Sequence, residues 1–118
     1  MSVYTLPISA LVDKLVELVE KYEVASKAHA VDKANFENLK NQEDSYLSIL
    51  KLSFQGSNPE KETQAYASEK WKEFESKMAS SRLAFYVAQS DLKVLDTKIE
   101  SMRTIISVRK EEINKFQG

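Results

Sequence analysis

The sequence predicts an all-α fold: a long antiparallel two-helix coiled-coil hairpin. Three observations carry this expectation. The 118 residues hold only two glycines and two prolines, so turns are scarce and a many-stranded β fold is disfavoured. Helix breakers fall in two places, at Pro7 and at Gln55-Gly56-Ser57-Asn58-Pro59. Between and after them apolar residues recur at the alternating three- and four-residue spacing of a coiled-coil seam.

The first helix is expected over about 8–54, with Pro7 in its first turn. Its a series is Ile8, Leu15, Tyr22, His29, Phe36, Glu43 and Leu50. Its d series is Leu11, Leu18, Ala25, Asp32, Leu39, Tyr46 and Ser53. The apolar seam is strong at both ends and weaker in the middle. A turn follows at about 55–58. Gly56 suits a left-handed backbone just past a helix end. Asn58 and Pro59 read as an N-cap and first helical residue. Glu60 and Glu62 then favour the positive end of the helix dipole.

The second helix is expected over about 59–116. Its a series, from Trp71 through Met78, Phe85, Leu92, Ile99 and Ile106 to Ile113, is apolar throughout. The d series is Phe74, Ser81, Ala88, Leu95, Met102, Arg109 and Phe116. A short turn makes the two helices antiparallel neighbours. The register pairs Tyr46 with Trp71, Leu39 with Met78, Phe36 with Ser81, and His29 with Ala88. It also sets Ala25 against Leu92, Leu18 against Ile99, and Leu11 against Ile106, so large faces small in several layers. The expectation is one domain, 1–118, with helices on the order of 70 and 85 Å long.

Two helices bury one stripe each, which is thin for a stable domain. Apolar residues also lie off the seam: Val12, Val16, Val19, Val24 and Val31 on the first helix, Val87, Val94 and Val108 on the second, with Leu83 and Ile105 nearby. Such a second stripe implies another packed helix. The expected partner is a second copy, as a dimer or tetramer, and a further protein partner is the alternative.

Composition narrows the chemistry. The chain has no cysteine and one histidine, which removes disulfides, thiolate catalysis, zinc fingers and iron–sulfur clusters. His29 and Asp32 share a helical face and read as a polar layer that fixes register, not as a metal half-site. Glu43 is expected to turn outward or to pair with a lysine of the second helix such as Lys70 or Lys77. No phosphate-binding glycine loop, nucleophile elbow or serine triad is present, so no enzyme activity and no cofactor are expected. Seventeen basic against eighteen acidic residues leave a net charge of −1, with no global attraction to nucleic acid. A local basic stretch, including Arg103, Arg109 and Lys110, offers the alternative of single-stranded nucleic-acid binding. Tyr66 and Trp71, just after the turn, are either a tip contact for a partner or the closure of the core. The N-terminal residues read as no signal peptide, and no stretch suits a membrane span. The expected location is therefore cytoplasmic.

One resemblance adds to this. Lys61-Glu62-Thr63-Gln64-Ala65-Tyr66-Ala67-Ser68, followed by Trp71-Lys72-Glu73-Phe74, resembles a pattern in small phage-encoded helical-hairpin proteins of unknown function. The tail Arg103-Thr104-Ile105-Ile106-Ser107-Val108-Arg109-Lys110-Glu111 extends the likeness, which covers residues 60–112. Genes of that kind often stand near replication and recombination genes. The resemblance therefore implies an accessory role there, or in countering a host factor, within the host cytoplasm. A virion or assembly spacer is a further alternative. The resemblance brings no catalytic residues.

Overall fold

A computed structural model describes residues 6–117, with side chains for residues 6–115. Residues 1–5, on which the reading of the N-terminus rests, and the Phe116 side chain lie outside the described part. The fold is an all-α helical hairpin of three helices: α1 (Ile8–Lys51), α2 (Asn58–Tyr66) and α3 (Glu69–Gln117).

Pro7 stands just before α1, not within it. Its carbonyl accepts from the Leu11 amide at 3.1 Å, the first bond of the helix. Proline's missing N–H costs nothing in either place. The α-helical part of α1 ends at Lys51, earlier than expected. The amides of Leu52, Ser53 and Phe54 then donate to Ile49, Leu50 and Lys51 at 3.0–3.2 Å. The chain thus tightens through three-residue turns up to Phe54, which satisfies carbonyls that an abrupt end would orphan. Gly56 follows at φ +123°, a backbone region that favours glycine.

Two details differ from expectation after the turn. Ser57, not Asn58, is the N-cap of α2. Its hydroxyl accepts from the Glu60 amide at 3.4 Å, so Asn58 and Pro59 take the first two helical positions. Proline is equally tolerated there because those amides need no helical acceptor. The expected helix over 59–116 is also divided at Ala67 and Ser68. Ser68 closes one helix and opens the next. Its Oγ donates to the Ala65 carbonyl at 2.6 Å and accepts from the Trp71 amide at 3.2 Å. A serine that takes local backbone partners offers the chain an alternative to continued helix.

The chain forms two compact units, Met1–His29 with Ala88–Gly118, and Ala30–Val87. The second unit holds the turn. Its core is Leu50, Ala65, Trp71, Phe74 and Met78, flanked by Phe36, Leu39, Tyr46, Leu47 and Phe54. The expected Tyr46–Trp71 layer is present, with ring centroids 6.4 Å apart, and Tyr46 also stacks on Phe74 at 4.8 Å. Leu39 meets the cluster that contains Met78. Phe36 stacks on Phe85 at 6.0 Å, with the Arg82 guanidinium 5.5 Å over its ring.

In the first unit Leu11, Met102 and Ile106 form one buried cluster, flanked by Leu6, Leu15, Leu18 and Ile105, and Ile99 is buried as well. Leu11 and Ile106 are the predicted partners at that level. Leu11 is fully buried, a placement worth about 1.5–3 kcal/mol for a leucine. In each unit the a and d residues are buried or half-buried, with few exceptions. The polar residues His29, Asp32, Glu43 and Arg109 follow this rule; Ser53, past the end of α1, and Ile113 do not.

Candidate interaction surfaces

Three surfaces follow from this frame: the aromatic end of the hairpin, the basic stretch of α3, and the apolar positions off the seam. At the hairpin end the break at Ser68 brings Ala65 and Trp71 into one core, with Trp71 only 4% exposed. Its indole Nε1 donates to Glu75 Oε1 at 2.8 Å, so the one polar atom of the ring is satisfied. Trp71 is therefore core and not a tip contact, because its face is spent on Tyr46, Phe74 and Tyr66. Tyr66 stands edge-on to Trp71 at 5.2 Å and remains 45% exposed. Shielding by neighbouring protein raises its phenol above the usual range. The nearby carboxylates of Glu62, Glu43 and Asp44 raise it further, and Glu62 hydrogen-bonds it.

The basic residues do not make one open cationic face. Arg103 donates to Glu100 Oε1 at 3.1 Å, an i,i+3 pair on the surface of α3. Arg109 is half-buried at its d position. Lys110 is exposed. The polar pair His29 and Asp32 is likewise half-buried within the seam. Among the described residues no group of three or more His, Cys, Asp or Glu could hold a metal ion.

The off-seam residues are mostly open. On α1, Val12 and Val16 are exposed, while Val19 is half-buried and offers less to a partner than expected. On α3, Val87, Val94 and Val108 are exposed at 51%, 52% and 46%, and Leu83 at 65%. Sequence reasoning missed Leu52, 82% exposed just past α1, and its neighbour Ile49. It also missed the extent of the α3 stripe. Val87, Val94 and Val108 occupy c positions of the α3 heptad, and the f positions between them are Ser90, Thr97 and Thr104. Between Glu73 and Glu111 every c and f residue is uncharged and exposed. The signal was available as an absence of charge at coiled-coil spacing. Six of these positions are serine or threonine, which hid the pattern from a search for apolar residues. The Thr104 hydroxyl returns to the Glu100 carbonyl at 3.0 Å, so its polar atom is already bonded on its own helix.

The c and f positions lie on the side of a helix away from a and d. The side chains of α3 that meet α1 and those of this stripe are therefore separate sets. No described helix is long and apolar enough to cross a membrane. Comparison of the chain with protein-family models, curated proteins and solved structures gives no match.

Proposed function

We propose that this chain is a non-enzymatic interaction protein that acts by coiled-coil self-association and by binding a protein partner through the same helix-to-helix packing. The observation that carries the reading is the uncharged, exposed c/f face of α3, which follows coiled-coil spacing and has Leu83, Val87, Val94 and Val108 at its apolar points. The setting we propose for it is the one that the likeness over residues 60–112 implies, a phage accessory role beside replication and recombination genes. Direct nucleic-acid binding has less support, since Arg103 is engaged by Glu100 and Arg109 is half-buried.

Light scattering on a sizing column, with and without a short single-stranded DNA at low salt, tests this reading. The expected result is a mass of two or more chains that DNA does not shift. Val87→Glu with Val94→Glu should then reduce the mass to one chain, because four carboxylates would meet in the contact of a dimer. A 13.5 kDa species in the unaltered protein would remove self-association. Co-elution with DNA would put nucleic-acid binding first.

A further inference from the structure

We propose that the c/f face of α3 pairs with the same face of a second copy, antiparallel, about a two-fold axis between Leu95 and Asp96. The proposal rests on the self-association reading and deepens it, by assigning orientation and register. Its evidence is the charge pattern beside the stripe.

The b and g positions of α3 flank the stripe on either side. In an antiparallel coiled coil each flank meets its own kind, b against b and g against g. With the axis between Leu95 and Asp96, the layers are Leu83 on Val108, Val87 on Thr104, Ser90 on Ser101 and Val94 on Thr97. Each layer occurs twice. Along the b flank Lys93 meets Glu100 of the partner subunit. Along the g flank Asp91 meets Lys98, Lys77 meets Glu112, and Ala84 meets Ile105, the last an apolar pair. All three charged meetings are opposite in sign. Glu100 holds Arg103 through Oε1 and retains its other oxygen for Lys93.

The alternatives fail on the same residues. A slip of one heptad toward the start of α3 sets Lys93 against Lys93 and Asp91 against Asp91. A slip toward its end sets Glu100 against Glu100 and Lys98 against Lys98. A parallel, in-register pair sets Lys93 against Lys98 twice, since facing charges there are five residues apart. Like charges at facing positions disfavour each of these arrangements. In this register each flanking charge from Lys77 to Glu112 meets one of opposite sign, and the arrangement requires two copies of this chain. The small Ser90 and Ser101 layers near its centre let two helix backbones approach closely.

The absence of cysteine makes cross-linking unambiguous. Leu83→Cys and Val108→Cys variants, prepared separately, reduced, mixed and oxidised, should give mainly 83-to-108 linked pairs. Asp91→Lys should weaken association about tenfold, and Asp91→Lys with Lys98→Asp should return it to within about threefold of the original. Residues 91 and 98 stand roughly 10 Å apart along one helix, too far to pair within a chain. Rescue therefore reports a second chain. A dimer that links 83 to 83 and 108 to 108, without rescue, would overturn the antiparallel register while self-association stood. A monomer would overturn both and leave the stripe to a different protein.

Discussion

Tyr66 shows how one side chain can pack against a core residue and still respond to solvent. Its ring packs edge-on against Trp71, while its hydroxyl sits among the carboxylates of Glu62, Glu43 and Asp44. Neighbouring protein and negative charge both disfavour the phenolate, so the folded chain holds this proton more tightly than the unfolded chain does. A group whose folded pKa is raised contributes its stability below its unfolded value near 10, and loses it as pH rises through the folded value. Stability should therefore fall with pH above that point in the original protein. In Tyr66→Phe that part of the fall should be absent. Chemical denaturation of both proteins between neutral pH and pH ~11 checks this, with the other titrating groups common to both. Parallel curves would show that neither shielding by neighbouring protein nor the carboxylates shift the folded phenol.

At the scale of the element, a single hydroxyl takes two backbone partners at the break between α2 and α3. Ser68→Ala removes both the bond to the Ala65 carbonyl and the cap on the Trp71 amide. A lost cap of this kind costs about 1 kcal/mol, readable as a lower urea midpoint. An unchanged midpoint would mean that burial of Ala65 and Trp71 holds the break without help. The same element marks where the sequence was legible and where it was not. The a/d spacing located both long helices and the Tyr46–Trp71 layer, because the period of apolar residues reports directly on which side of a helix is buried. The division at Ser68 was hidden, since serine has no fixed backbone preference as glycine and proline do. Only its partners in three dimensions reveal the cap. Trp71 was ambiguous for a related reason: a large aromatic near a turn has the same sequence signature whether it closes a core or faces a partner. The stripe of α3 was half visible. Its valines announced it, but its serines and threonines concealed how far it runs.

For the molecule as a whole, the cores of the two units are closed by contacts of very different sequence span. Tyr46 and Trp71 are 25 residues apart along the chain, whereas Leu11 and Ile106 are 95 apart. Closing the longer span costs about 1 kcal/mol more chain entropy before any contact repays it. Folding should therefore begin beside the turn and proceed outward, as a zip does from its closed end. Met78→Ala, in the core beside the turn, should mainly slow refolding, and Leu11→Ala should mainly hasten unfolding, although truncation at either site costs about 2–5 kcal/mol at equilibrium. Stopped-flow rates for the two variants decide it, and the reverse assignment would place the nucleus at the termini. The order has a practical effect during synthesis. The unit that holds the turn ends at Val87, so the same order predicts that it forms while the last part of α3 is still being made. Ile8 to His29 must wait for their partners. Until these emerge, that stretch of α1 is a half-finished surface, open to any chain that arrives first.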